Sequence, residues 1–153
     1  MRGPDWLNPS WAEPLGMLLL RIGVAWFIFV WAVNKFFAPG QYQFILKRFD
    51  KIEAELWTVY GIAIAQTVVC VLVFLGLWRL LSYGALMLIH AGTIYRIWPR
   101  LIDPFEISDK GFPVNRNSAI ALGIFLAMVA LLLLRNRDAW SLDHWMKRRR
   151  GGD

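Results

Sequence analysis

The chain is poor in the residues that most often bind metals or carry redox chemistry. It has one cysteine, Cys70, in 153 residues. An internal disulfide, a Cys-x-x-Cys redox pair, a cysteine-ligated iron–sulfur cluster and a thiolate zinc site are therefore excluded. Of the two histidines, His90 and His144, the second falls in the C-terminal tail, which disfavours bis-histidine haem ligation in a membrane. We expect no metal site and no covalently bound cofactor.

Charged residues are also scarce. Only 18% of the residues are charged, whereas 58% are hydrophobic, more than a soluble domain of this length can bury in one core. Lipid is the expected second apolar solvent. The formal net charge of +6 would suit nucleic acid on a soluble protein, but the basic residues lie largely in loops and in the tail. Membrane lipid, and not nucleic acid, is therefore the expected partner.

Four apolar runs, at residues 15–37, 59–78, 80–98 and 118–134, are each about long enough to cross a hydrocarbon core of roughly 30 Å. Almost no loop separates the second from the third, so they must form a tight antiparallel hairpin. The sequence predicts an all-α integral membrane protein: one domain over residues 1–153, with four transmembrane helices running up-down-up-down and both termini on one side.

The segment 41–57, between the first two runs, has apolar residues at helical spacing: Ile45, Phe49, Ile52 and Leu56. It predicts a short amphipathic helix at the membrane surface or against a partner. A helical extension of the second span into water is the alternative.

The C-terminal segment 135–153 predicts a basic tail behind the last span. Four consecutive basic residues there are candidates for binding lipid headgroups: Lys147, Arg148, Arg149 and Arg150. Basic residues are slightly more numerous on the side of the termini, so we expect both termini in the cytoplasm.

The fourth span has small residues at every fourth position: Ala119, Gly123 and Ala127. Close backbone approach is what packs helices in lipid, so this stripe predicts a helix packing face.

Polar residues of three spans fall in the half of the membrane nearer the termini: Arg21, Tyr83, His90 and Gln66. At 1.5 Å per residue, Arg21 lies about 9 Å inside its span and His90 about 15 Å. No acidic residue inside the spans neutralises Arg21, which leaves it free for an electron-rich guest. Such a cluster can bind a quinone headgroup or a lipid phosphate. Alternatively, Arg21 snorkels to phosphate, and Gln66 and His90 bond across helices.

Lys35 lies on the same face of the first span as Arg21, near the opposite membrane surface. A lysine at this depth is expected to extend its ammonium group to the interface.

Six short stretches form one pattern along the chain: residues 20–27, Lys35-Phe36-Phe37, Pro39-Gly40, residues 73–80, residues 131–134 and residues 137–143 with their Ser-Leu-Asp ending. Together they resemble the DoxX-type family of small four-helix membrane proteins. The resemblance implies a four-helix membrane subunit and carries over Arg21, Gly23 and Lys35. The chain departs from the family pattern at Trp31, at Asn136 and in the long segment 41–57.

Some DoxX-type proteins are membrane subunits of thiosulfate:quinone oxidoreductases, so the resemblance implies a quinone-linked role beside other membrane subunits. We expect a bacterial inner-membrane subunit that anchors a partner and contributes to a quinone pocket; its enzymatic part is at most that of a subunit. The alternative is a non-catalytic accessory subunit packed against a larger membrane complex. A transporter is disfavoured because broken helices and membrane acidic residues are lacking.

Overall fold

The computed structural model describes residues 9–150. Six α-helices form in this part of the chain: α1 (Ala12–Phe37), α2 (Pro39–Ile45), α3 (Leu56–Leu75), α4 (Arg79–Ile102), α5 (Arg116–Leu133) and α6 (Leu142–Arg150). Helices α1, α3, α4 and α5 are long and apolar enough to cross a membrane. The predicted all-α bundle with four spans is confirmed, and each span begins and ends within four residues of its expected limits.

The outer surface of these four helices is apolar. Large exposed side chains occur on every one of them: Leu19, Trp26 and Val30 on α1, Ile64 and Val68 on α3, Leu81 and Leu88 on α4, and Ile120 and Leu126 on α5. Contiguous apolar surface of this kind is costly in water and favourable in hydrocarbon. The chain is therefore an integral membrane protein.

The four spans form a ring in which α1 packs on α3, α3 on α4, α4 on α5 and α5 back on α1. Their shared core is built from Val24, Ala25, Ile28, Cys70, Val73, Leu86, Met128 and Leu131. Ala25 and Ala32 are fully buried on α1, and small residues of this kind allow close approach of neighbouring helices. The start of α1 and the end of α5 lie at the same end of the bundle, joined by an Arg137–Glu13 ion pair at 3.4 Å.

The predicted packing stripe on the last span is wrong for contacts within the chain. Ala119 and Gly123 are exposed, and a Cβ added at Gly123 would meet no atom within 4 Å. Ala127 is only partly buried. Instead, α5 buries another face, formed by Ser118, Ala121, Met128 and Leu131. Larger side chains fill this interface, and the small residues face away from the bundle.

The second span ends earlier than the apolar run suggests. Gly76 has a left-handed φ of 66°, and its N–H and that of Leu77 bond back to the carbonyls of Val73 and Leu72. This pattern is a Schellman motif, which terminates a helix and favours glycine. Leu77 and Trp78 then link α3 directly to α4, as the tight hairpin requires.

The segment between the first two spans is helical only over residues 39–50. Helix α2 is followed by a π-helical turn, Leu46–Asp50, and Lys51, with φ of 59°, ends it. Residues 51–55 are not helical, so the predicted helix to residue 57 is too long, and the extension of the second span is also wrong. Leu46 is the buried apolar contact, whereas Phe49 and Ile52 are exposed.

The C-terminal segment does not form a free tail from residue 135. A 3₁₀ turn, Arg135–Arg137, follows the last span, and then Asp138 and Ser141 are buried against the bundle. Helix α6 begins at Leu142, and Lys147, Arg148 and Arg149 on it are exposed. The side chain of Arg150, the fourth predicted headgroup ligand, lies outside the described part.

Candidate functional site

Arg21 points into the bundle and is paired with an acidic residue. Its Nη1 donates to Oδ2 of Asp138 at 2.8 Å, and its Nη2 donates to the carbonyl of Trp140 at 3.2 Å. The two charged side chains are 3% and 0% exposed. The expectation that Arg21 is left free for a guest is therefore wrong. No acidic residue lies inside the spans, but the segment after the last span folds back and brings the carboxylate of Asp138 to Arg21.

Tyr83 of α4 donates its hydroxyl to the same carboxylate oxygen. Three parts of the chain thus meet at one atom: α1 through Arg21, α4 through Tyr83 and the segment after α5 through Asp138. Hydrogen bonds to an ionised acceptor are stronger than neutral ones, and a low-dielectric site strengthens them further. We call Arg21, Tyr83 and Asp138 the polar triad.

Arg79, the first residue of α4, holds the backbone that carries Asp138. Its Nη1 donates to the carbonyls of Arg135 and of Asp138, the latter at 3.2 Å. Ser141 adds a hydrogen bond from its hydroxyl to the Asp138 carbonyl at 2.8 Å. The carbonyl groups after the last span are thereby satisfied, and the position of the carboxylate is tied to the start of α4.

Asp143 attaches helix α6 to the same corner. Its carboxylate accepts from the backbone N–H groups of Trp78 and Arg79, each at 3.0 Å, at the N-terminus of α4. In return, its own N–H donates to the Gly76 carbonyl at 3.3 Å. A carboxylate that receives the free N–H groups of a helix start stabilises the helix, so α6 docks by capping α4.

The close approach at Gly76 is what makes room for the polar triad. A Cβ at this position would lie 2.5 Å from Arg21 Nη1 and 2.6 Å from the Cβ of Ser141. The left-handed backbone and the lack of space both require glycine here.

No family model, curated protein or solved structure matches this chain. The role of the polar triad is therefore inferred from its contacts, burial and charge. Among the described residues, no group of three His, Cys, Asp or Glu side chains could hold a metal ion. Acid–base or ionic interactions are the chemistry that these side chains offer.

His90 lies on α4 but does not join the polar triad. Its Nε2 is 2.8 Å from the Ala121 carbonyl of α5, and its ring packs edge-on against Phe27 with centroids 5.6 Å apart. It is buried, and its Nδ1 has no hydrogen-bond partner among the described residues. The single pocket expected for Arg21, Tyr83 and His90 is thus divided: two of the residues share a carboxylate, and the third links α4 to α5.

Gln66 and Gly23 stand apart from the polar triad as well. Gln66 is partly buried on α3, and no hydrogen bond in residues 9–150 joins it to Arg21, Tyr83 or His90. Gly23 is exposed, with open space where a Cβ would lie. The depth count grouped Gln66 with Arg21 and Tyr83, but the structure brings only the latter two together.

Lys35, at the opposite end, does not extend to the interface. It is 6% exposed; its Nζ donates to the Trp31 carbonyl at 2.9 Å and lies 4.5 Å from the centre of the Tyr42 ring. Helix α2 covers it, and burial raises the pKa of the Tyr42 hydroxyl. The segment that covers Lys35 is held in place by an ion pair between Arg96 of α4 and Asp50, in which Nη2 lies 2.7 Å from Oδ2.

Sequence reasoning missed Asp138, Arg79 and Asp143. Each lies at a span end, where charged residues ordinarily face water, so composition alone does not mark them. A signal was present, because Arg21 within an apolar span demands a partner, and the acidic residues at its end of the bundle include Asp138 and Asp143 after the last span.

Proposed function

We propose that this chain is a small integral membrane subunit that serves as a structural component beside a larger membrane partner. The main observation behind this proposal is that Arg21 already has a partner: its guanidinium forms a buried ion pair with Asp138 at 2.8 Å. A guest at Arg21 would have to break this ion pair, and removing one partner of a buried pair costs about 3–5 kcal/mol. The polar triad therefore holds α1, α4 and the C-terminal segment together.

The same proposal includes the location of the chain, which is a bacterial inner membrane with both termini in the cytoplasm. Basic residues on α6 support this orientation, since Lys147, Arg148 and Arg149 are exposed at the end of the bundle that holds the polar triad. Anionic lipid of the cytoplasmic leaflet attracts such residues.

Site-specific crosslinking in native membranes tests the structural role. A photo-reactive residue is placed at one outward position on each span: Trp26, Ile64, Leu88 or Leu126. A subunit packed against a partner gives a protein adduct of constant mass from one or two adjacent helices, and lipid adducts from the others. Lipid adducts from all four positions would contradict the proposal.

A second candidate is a DoxX-like subunit of a quinone-linked redox assembly that anchors a partner and contributes to a quinone pocket. One observation favours it: stretches that resemble the DoxX family converge in the structure. Arg21 from residues 20–27, Arg79 from residues 73–80 and Asp138 from residues 137–143 all belong to the polar triad or its support. Convergence of these stretches is what a shared family architecture would produce.

The paired variant Arg21→Met with Asp138→Leu separates the two candidates, because it removes both charges and leaves no unpaired one. Wild-type and variant chains are purified in native-lipid nanodiscs, and hexane-extracted quinone is measured per chain. The structural role predicts equal and substoichiometric quinone in both. A quinone site at the polar triad predicts near-stoichiometric quinone in the wild type and its loss in the variant.

A further inference from the structure

A groove of about 290 Å³ opens beside the polar triad, between the start of α4, the 3₁₀ turn and α6. Its lining includes three basic residues, Arg79, Arg135 and Lys147, and one acidic residue, Asp143. We infer that this groove binds the phosphate of an anionic phospholipid at the membrane surface. This inference does not depend on the proposed function, since a structural subunit and a redox subunit can both hold a lipid.

The charge of the groove favours a phosphate. The carboxylate of Asp143 forms an ion pair with Arg79, whose Nε lies 3.6 Å from Oδ2, and it also accepts from two backbone N–H groups of α4. One negative charge therefore faces three positive ones, and Arg135 and Lys147 are left without a carboxylate partner in the groove lining. Arg79 is a built-in donor: it is 8% exposed, and its Nη2 takes part in none of the hydrogen bonds found within residues 9–150. Guanidinium groups held in place by carbonyls bind phosphate oxygens with little loss of entropy.

The orientation of helix α6 places Lys147 at this groove. Asp143 and Lys147 are four residues apart, so they lie on the same face of the helix. Because Asp143 is bound to the start of α4, Lys147 is directed toward Arg79 and lines the groove. Arg149 instead stacks over the Trp145 ring at 3.8 Å, and Arg148 is not part of the lining.

The apolar rim identifies the phosphate as that of a lipid. Trp78, Leu80 and Leu81 line the groove and are 65%, 58% and 70% exposed. These residues begin a membrane span, so acyl chains are their natural solvent, while the basic residues sit at headgroup level. A free phosphate ion would use the cations and leave this rim without a role.

Native mass spectrometry of the purified full chain tests the site, with phosphatidylglycerol and phosphatidylcholine as probes. We expect phosphatidylglycerol to bind at least fivefold more tightly. Lys147→Ala should weaken phosphatidylglycerol binding about fivefold, because a basic residue near an anionic lipid contributes about 1 kcal/mol. Arg148→Ala is the matched control: it removes the same charge from the same helix outside the groove and should cost less than twofold.

Thermal unfolding verifies that both variants stay folded, and Arg135→Ala provides a second groove variant with the same expected loss. Equal affinity for the two lipids, or equal losses in the Lys147 and Arg148 variants, would overturn the inference. A final arm adds inorganic phosphate at the concentration of the lipid. Displacement of phosphatidylglycerol in this arm would show that the groove selects a free phosphate and would refute the lipid assignment.

Discussion

Loss of the Asp138 carboxylate should be among the most damaging single changes in the bundle. Asp138→Asn keeps the size of the side chain but removes its charge, and Asp138 is fully buried. Arg21 would stay buried without a counter-charge, and its remaining acceptors would be neutral: the Trp140 carbonyl at 3.2 Å and the amide oxygen of the asparagine. Tyr83 would lose an ionised acceptor for a weaker amide oxygen.

The magnitude follows from these contacts. An uncompensated charge left by a broken buried pair costs about 3–5 kcal/mol. Tyr83→Phe removes one hydrogen bond to a charged group and keeps the ion pair, so it should cost about 1.5–3 kcal/mol. The double variant Arg21→Met with Asp138→Leu leaves no unpaired charge but takes the acceptor from the Tyr83 hydroxyl, so it should cost about 1–3 kcal/mol, less than Asp138→Asn.

Thermal unfolding in detergent, followed by circular dichroism, measures this order. For a chain of this size, 1 kcal/mol shifts Tm by about 2–4 °C, so Asp138→Asn should lower Tm by roughly 6–20 °C. The double variant is the control, because it deletes the same carboxylate without stranding a cation. An Asp138→Asn protein as stable as the wild type, or a double variant less stable than either single one, would refute the conclusion that the buried Arg21–Asp138 ion pair stabilises the bundle.

Three further outcomes are expected. Gly76→Ala should lower Tm by several degrees, because its Cβ would clash at 2.5 Å with a held guanidinium, whereas Gly123→Ala should not; equal effects would disprove the close approach. A double-mutant cycle of Arg96→Ala and Asp50→Ala should give a coupling energy of about 1 kcal/mol in unfolding, and zero coupling would mean that this ion pair does not fasten α2. Cys70 is 0% exposed, so maleimide should label it only after denaturation in SDS; rapid labelling of the folded chain would show that α3 is rotated.

The candidate site could be predicted in part from residue depth. Counting along the spans placed Arg21 and Tyr83 at one end, and the structure unites them through Asp138. The same count grouped His90 with them, but depth says nothing about which neighbour a helix face meets, and His90 bonds α5. For Lys35, proximity to the membrane surface suggested an outward side chain, whereas α2 folds over it and directs it inward.

The sequence by itself determined the four spans, because hydrogen bonding within a helix and the length of an apolar run are local properties. The Schellman end at Gly76 is equally local. Only the tertiary structure decided where charge is compensated: Arg21 and Asp138 are 117 residues apart. Their pairing depends on how α1, α4 and α5 pack and on the return of the chain beyond α5, and no periodicity or composition of a single segment encodes that meeting.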